Sequence, residues 1–303
     1  MRLAAIDCGT NTLLLLVADF EDGQIAAVED RAEIVRLGEG LDASGALQPR
    51  AIARALATLD GYVARIGELG CAHVMAVGTE AIRRASNGHL FVNEATARLG
   101  RVGGRFQVID GEREARLSWR AVNASFPELR GARTVLDIGG GSTELLVGER
   151  EVERVVSLPI GSVRLTERLL HHDPPLADER AALHAAIERA LDEAPPPRGT
   201  LVGIAGTVTT LAAMAQRLTT YDGDRVHGSI LDGKWLAETV RALGETPVAD
   251  RKRTPGLDPK RADVIYAGAV ILERVLARAG ASGCLVSDRG IRWGLIYEAI
   301  GLG

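Results

Sequence analysis

The sequence predicts an α/β protein made of two similar halves, and two observations carry that prediction. Short apolar runs of strand character alternate with longer stretches of helical spacing along the 303 residues, the pattern of α/β folds with substantially parallel sheets. In addition, one unit occurs twice: an apolar strand ending in Asp, a turn rich in Gly and Thr or Ser, and a second apolar strand. It begins once near Leu3 and again near Thr134.

The elements follow in order. Leu3–Ile6 is a buried strand, Asp7–Thr12 a polar turn and Leu13–Val17 an antiparallel return strand. Between Pro49 and Leu69, Ile52, Leu56, Leu59, Val63 and Ile66 recur at helical spacing. His73–Val77 is a short strand, Ala81–Ala85 opens a helix, Phe106–Ile109 is a strand and Glu112–Val122 a helix after Gly111. At Arg133 the pattern restarts: Thr134–Ile138, the turn Gly139-Gly140-Gly141-Ser142-Thr143, and the return Glu144–Val147. With Asp7 laid on Asp137, Leu15-Leu16-Val17 falls on Leu145-Leu146-Val147 without a gap, which reads as an internal duplication. A helix over Asp178–Ala194 ends at Pro195-Pro196-Pro197. Leu201–Ala205 then leads as a strand into Gly206-Thr207 and a helix over Val208–Leu218. An apolar helix over Ala262–Ala279, a strand over Cys284–Val286 and a closing helix over Ile291–Ile300 complete the chain. The expected domains are 1–122 and 123–290, with the closing segment 291–303 packing back on the first.

Composition narrows the function. Apolar residues make up 46% and charged residues 25% of the chain, as in ordinary globular proteins. Aromatic residues are only 4%, too few for a platform on which single-stranded nucleic acid stacks. The net charge of −4 supplies no global attraction for a polyanion, so a phosphate-rich ligand needs local cations, backbone amides or a metal. Cys8, Cys71 and Cys284 form no CxxC pair, which gives no zinc signature and suits a reducing compartment. No apolar stretch approaches the roughly 20 residues of a membrane span, and the opening Met1–Ile6 has no signal-peptide core. A cytoplasmic protein is expected, with neither nucleic acid nor membrane as partner.

The chemistry-bearing positions start with the paired turns. Glycine lets the main chain approach a phosphate closely, and convergent amides hold it. Thr10, Asn11 and Thr12 can do this in one turn, and Gly139, Gly140, Gly141, Ser142 and Thr143 in the other. Asp7 and Asp137 at the strand ends can hold Mg²⁺ directly or through water, as hard cations prefer; two plain Gly-rich hairpins are the competing reading. A Walker loop is excluded because Gly233-Lys234 is followed by Trp235, and the dinucleotide fingerprint fails because Ser142-Thr143-Glu144 stands where its third Gly should be. One of the glutamates in Gly111-Glu-Arg-Glu-Ala115 can activate water, although acids in a first helical turn also simply complement the helix dipole. Gly206 and Thr207 mark a helix start suited to an anion or a plain capped junction. Arg83 and Arg292 can each clamp phosphate oxygens. Arg251-Lys252-Arg253 and Lys260-Arg261 read as a basic loop that is solvated or touches a polyanion, and His171-His172-Asp173 as a surface loop.

Eight motifs, in order and over nearly the whole chain, then resemble a known family. They are Asp7-x-Gly-Thr-Asn-Thr12, Arg36-Leu-Gly-Glu-Gly-Leu41, Gly111-Glu-x-Glu-Ala115 and Asp137-Ile-Gly-Gly-Gly-Ser-Thr-Glu144. With them go Ser157-Leu-Pro-Ile-Gly-Ser-Val-Arg-Leu-Thr166, Ala205-Gly-Thr-Val-Thr-Thr-Leu211, Arg261-Ala-Asp-Val-Ile265 and Ser287-Asp-x-Gly-Ile-Arg292. Together they resemble the exopolyphosphatase/guanosine pentaphosphate phosphohydrolase (Ppx/GppA) family. The resemblance implies two duplicated actin/Hsp70/sugar-kinase-like, ribonuclease H-like domains with the active site in an interdomain cleft. It implies hydrolytic removal of a terminal phosphate from polyphosphate or from guanosine pentaphosphate, with Mg²⁺ as cofactor and Mn²⁺ as a substitute. By motif position Glu114 matches the catalytic carboxylate, Asp137 and Glu144 match metal and water-positioning acids, Asp7 is the first-domain acid, and Arg83 sits at a phosphate-binding arginine.

Three departures stand out: Asp110 where Ser is usual before Gly111, Thr12 where Ser is common, and Glu80 in a turn that is usually neutral. The chain also ends soon after the last motif, where longer relatives continue into a helical region that helps bind long polyphosphate. Short chains are therefore the expected substrate, and a second copy of the protein is a candidate partner. A sugar or acetate kinase and a non-catalytic guanosine tetraphosphate sensor are the rival readings. The first would need ATP and an acceptor, and the second would turn nothing over.

Overall fold

A computed structural model describes residues 1–302 and divides the chain into two compact units. The first holds Met1–Ala124 together with the segment from Ile291 onward, and the second holds Ser125–Gly290. In the first unit the strands are β1 (Arg2–Cys8), β2 (Thr12–Glu21), β3 (Gln24–Ile34), β4 (His73–Gly78) and β5 (Arg105–Val108). They form one sheet in the order β3-β2-β1-β4-β5. Its principal helices are α1 (Pro49–Leu69), α2 (Glu80–Arg84), α3 (Gly88–Leu99) and α4 (Gly111–Ser125).

The second unit holds β6 (Arg133–Ile138), β7 (Thr143–Gly148), β8 (Val152–Leu158), β9 (Thr200–Ile204), β10 (Ile230–Asp232) and β11 (Gly283–Val286). Their order is β10-β11-β9-β6-β7-β8. Helices α5 (Ser162–Leu169), α6 (Ala177–Leu191), α7 (Ala205–Ala215), α8 (Gly233–Glu245) and α9 (Ile265–Ala279) belong with it. The closing helix α10 (Ile291–Ala299) packs on β1 and β2 of the first unit. There Arg292 grips both oxygens of Asp30 at 2.9 and 3.0 Å, and Arg113 pairs with Glu298.

Both sheets are mixed, which corrects the expectation of substantially parallel ones. β1 runs parallel to β4, and β6 to β9, but the β1–β2–β3 and β6–β7–β8 ribbons are antiparallel. β3 and β8 were not expected because they are sheet edges rich in exposed, charged positions, so neither shows a regular apolar alternation. Edge strands of this kind resist pairing with other chains.

β1 is buried on both faces, and its side chains alternate between two cores. Ala4, Ile6 and Cys8 join Leu56, Leu59 and Phe91 on one side, while Leu3 and Ala5 join Leu117, Trp293 and Ile296 on the other. A central strand covered on both faces reads as an unbroken apolar run, which is why the sequence locates it so clearly. The second unit has one large core, with α9 contributing Ile265, Val270, Ile271, Leu272 and Val275.

The strand registers repeat between the units. Asp7 pairs with Leu14, Ile6 with Leu15 and Ala5 with Leu16; Asp137 pairs with Glu144, Leu136 with Leu145 and Val135 with Leu146. The gapless alignment read from sequence is thus the alignment of the hydrogen-bonded ladders.

Candidate active site

In the first unit, the turn between β1 and β2 is closed by Gly9 N–H donating to the Thr12 carbonyl at 3.0 Å. The segment after β3 then takes up the remaining carbonyls. Gly38 N–H donates to Thr10 O at 2.8 Å, and Val35 and Arg36 N–H donate to Asn11 O at 3.0 and 2.9 Å. Carbonyl oxygens satisfied in this way repel an incoming anion less. Gly38 presses so closely on the turn that a Cβ there would lie 2.4 Å from Thr10 Cγ2.

The second unit repeats this construction. Gly139 N–H donates to Ser142 O at 3.0 Å, Ser162 N–H to Gly139 O at 3.0 Å, and Val163 and Arg164 N–H to Gly140 O at 2.9 and 3.0 Å. A Cβ on Gly161 would stand 2.4 Å from Gly140 O, so only glycine admits this approach. Gly161 and Arg164 shape the candidate turn, and residue type alone gives neither a role. Their signal was present in the Ile160-Gly-Ser-Val-Arg164 stretch of one of the shared motifs.

The side chains differ between the two turns. Asp7, Thr10 and Asn11 are all buried, and Asn11 Nδ2 has no hydrogen-bond partner among the described residues. An orphaned buried donor is costly unless a ligand accepts from it, which fits an anion at this turn. The Thr10 hydroxyl, by contrast, donates to Glu80 Oε2 at 3.2 Å, and Arg84 reaches Glu80 Oε1 at 3.2 Å. Glu80 is the unexpected acid of the sequence, and burial pushes its pKa above the usual carboxylate value, against the pull of Arg84 and Thr10.

In the second unit Asp137, Glu144 and Ser157 stand abreast on three neighbouring strands, and Ser157 Oγ donates to Glu144 Oε1 at 2.6 Å. Directly paired residues share one face of a sheet. Two carboxylates so placed and almost fully buried repel each other unless cations or donors compensate. Among the described residues no group of three or more His, Cys, Asp or Glu forms a metal cage. A pair of oxygen ligands is nonetheless the kind of set Mg²⁺ uses, because it keeps several waters and binds substrate phosphate. The Thr143 hydroxyl corrects one expectation. It is fully buried and donates to Ile160 O at 2.6 Å, so its side chain secures the turn and offers nothing to a phosphate.

Glu114 lies in the first turn of α4 and is 6% exposed. Arg83 Nη1 donates to its Oε2 at 3.3 Å and to the Ile109 carbonyl at 2.6 Å. The structure thus brings the expected carboxylate and the expected arginine into contact. Asp110, the other unexpected acid, accepts from Arg113 N–H at 2.8 Å and caps α4. Arg292 is committed to Asp30, which removes it as a phosphate clamp.

At the start of α7, Ala205 adopts φ 66°, a left-handed conformation rare for a residue with a Cβ. A Cβ on Gly206 would meet the Arg261 guanidinium at 2.5 Å. Arg261, read from sequence as part of a basic loop, therefore sits over the helix start that carries Gly206 and the buried Thr207. Cys8, beside Asp7, is fully buried and its thiol is pushed well up by burial and then by Asp7, so it acts as a packing residue.

Comparisons with known proteins agree with this construction. A profile of the Ppx/GppA phosphatase family matches residues 16–302. The chain is 38% identical to Exopolyphosphatase 2 of Mycobacterium tuberculosis, over 99% of each protein. It superposes on the crystal structure of the Aquifex aeolicus Ppx/GppA family member with a TM-score of 0.84 at 35% identity, covering 99% of this chain and 97% of that one. An exopolyphosphatase from Cytophaga hutchinsonii gives a TM-score of 0.90 at 29% identity, covering 100% and 99%. The two mixed-sheet units are α/β domains of the actin-like fold that these structures share. With the profile, the full-length relatives and the repeated strand–turn–strand registers in agreement, the chain belongs to the Ppx/GppA phosphatase family.

Proposed function

We propose that this protein is an exopolyphosphatase: a hydrolase of phosphoric anhydride bonds that removes the terminal phosphate of inorganic polyphosphate as orthophosphate. The observation that carries this reading is the match to Exopolyphosphatase 2 along the whole of both chains. It is supported by Glu114, buried and held by Arg83 at the start of α4.

In this reading Glu114 accepts a proton from the water whose oxygen attacks the terminal phosphorus. The P–O bond to the remaining chain breaks, and that chain leaves as an anion. Positioning and electrostatics do most of the work in phosphoryl transfer. Arg83 holds Glu114 and offers its remaining N–H groups to phosphate oxygens. Thr10 and Thr12 through their backbone, Asn11 through Nδ2, Gly140, Gly141 and Ser142 through their amides, and Gly206 and Thr207 at the start of α7 bind further phosphates. Arg261 joins this set. The Gly139 amide is spent on the Ser142 carbonyl and keeps the turn closed. Asp137 and Glu144 would hold Mg²⁺, or Mn²⁺ in its place, and Asp7 is the candidate metal-binding acid of the first unit. When bound, the ion offsets charge on the phosphate oxygens. Short polyphosphates in the cytoplasm are the proposed substrate, and the three free cysteines suit a reducing compartment. No helix among the described residues is long and apolar enough to cross a membrane.

Orthophosphate release from polyphosphates of graded length and from guanosine pentaphosphate, with and without Mg²⁺, tests the proposal. Release from short polyphosphate that depends on the metal is expected. Release confined to guanosine pentaphosphate would replace the reading with the other activity of the family.

A further inference from the structure

The second unit holds a cavity of about 320 Å³ that none of the proposed catalytic groups lines. It lies against α8, whose Trp235, Thr239 and Ala242 follow at intervals of four and three residues and so share one helix face. Arg217, Thr254 and Arg251 complete the part of the wall that matters, and no acidic residue lines it.

Arg251 is the unusual member. It is 2% exposed, yet it makes no ion pair among the described residues. Nε donates to Thr246 O at 2.8 Å, Nη1 donates to Ala262 O at 3.2 Å, and the guanidinium carbon lies 5.7 Å from the centre of the Tyr266 ring. Nη2 is buried with no partner. Two neutral carbonyls and a ring face do not balance a buried cation, and buried charges are normally paired or neutralised. Burial lowers the guanidinium pKa, and Asp173, Tyr266 and Asp263 pull it back only from longer range. An anion in the cavity would supply the missing charge and acceptor. A second cation, Arg217, lines the same space. Its size suits a small organic ligand, and Trp235 provides a flat apolar wall for a planar body.

We propose that this cavity is a binding site for a small organic anion. Its phosphate, phosphonate or carboxylate head pairs with Arg251, and its flat apolar body lies against Trp235. None of the proposed phosphate-hydrolysing residues lines it, and the inference does not depend on that activity.

Trp235 is its own reporter, because the other two tryptophans, Trp119 and Trp293, are buried in the first unit. Titration of the full chain with phenylphosphonate should change Trp emission saturably, inorganic phosphate should bind more weakly, and phenol should give no response. Trp235→Phe should abolish the signal. Arg251→Met, which removes the charged partner, and Ala242→Phe, which fills the cavity from an exposed position, should each weaken phenylphosphonate binding about tenfold or more. Ala242→Phe should leave orthophosphate release and cooperative melting as in the wild type, and it carries the test if Arg251→Met does not fold. A response to phenol equal to that for phenylphosphonate, retention of binding in Ala242→Phe, or no saturable response up to about 10 mM would each overturn the proposal.

Discussion

The turn after β1 and the turn after β6 share a backbone plan but not a chemistry. Each is closed by the same Gly-to-residue-four hydrogen bond, Gly9 to Thr12 and Gly139 to Ser142, both at 3.0 Å. Each is pressed from behind by a glycine of the segment that follows the third strand. Opposite Asp7, however, stands Leu14, and opposite Asp137 stands Glu144. Duplication thus preserved the backbone geometry of the turn, while the residue across the ladder from the acid differs. With Leu14 opposite Asp7, the orphaned Asn11 donor is the feature of the first turn that suits an anion, and the buried carboxylate pair of the second turn suits a cation. The turns are unequal because one residue across the ladder differs.

The largest expected effect tests whether either turn carries the proton transfer. Glu114 comes from α4 and belongs to neither. Glu114→Gln should keep the hydrogen bond from Arg83 and the fold, yet lower kcat for orthophosphate release by about 10²- to 10⁴-fold with KM little changed. Near-wild-type turnover in this variant, alongside a dead Asp137→Asn, would move the base into the second turn and make the comparison one of catalyst against scaffold.

Next in size is an exchange of the residues that distinguish the turns. Glu144→Leu gives the second turn the partner that the first one has. We expect its Mg²⁺ half-saturation to rise about 10- to 100-fold in activity titrations. Leu14→Glu, the reciprocal change, should create a second carboxylate pair without restoring activity to Glu144→Leu. An unchanged Mg²⁺ requirement in Glu144→Leu would show that the pair is not the metal site.

Much of this contrast is legible in the sequence, and what is not has a common cause. The duplication was visible because β1 and β6 are central strands whose apolar runs are unbroken and whose turns are rich in glycine. Glu114 and Arg83 are each legible from motif position. Their contact at 3.3 Å could not be read, since it joins residues 31 positions apart. The same holds for Thr10 with Glu80, for Arg261 over Gly206, and for Arg292 with Asp30, whose partner lies 262 residues away. Residue type told which side chains can bind phosphate. Only the fold told which of them are already spent, such as the inward hydroxyl of Thr143. The strands β3 and β8 escape because their polar edges carry little periodic signal, although the segments that follow them supply donors to the carbonyls of both turns.

A smaller effect separates the two glycines that press on the turns. At Gly161 a Cβ meets backbone, at 2.4 Å from Gly140 O, whereas at Gly38 it meets the Thr10 methyl at the same 2.4 Å. Backbone has less room to yield than a side chain. Gly161→Ala should therefore cost about 1–3 kcal/mol and raise KM for polyphosphate, and Gly38→Ala should cost less. Calorimetric melting of the two variants gives the order. Equal losses would mean that the second turn is as compliant as the first.

The smallest effect concerns the acid that the first turn has acquired. Burial raises the Glu80 pKa while Arg84, Thr10 and Arg83 lower it, and burial wins. A carboxyl whose folded-state pKa lies above its unfolded value holds its proton more tightly in the folded chain. Its contribution to stability is present at low pH and is lost as pH rises from the ordinary value of 4.5 through the raised one. Glu80→Gln removes this loss and leaves an acceptor for the Thr10 hydroxyl. The melting temperature of the variant relative to wild type should therefore increase from about pH 4 to neutrality. A constant gap across that range would mean that Glu80 ionises alike in the folded and unfolded chains. With a negative charge gone from behind the Asp7 turn, KM for polyphosphate should also fall, by about twofold to fivefold. A rise in KM instead would assign Glu80 to holding Thr10 in its binding position, and the first turn would then owe its grip to side-chain order more than to charge.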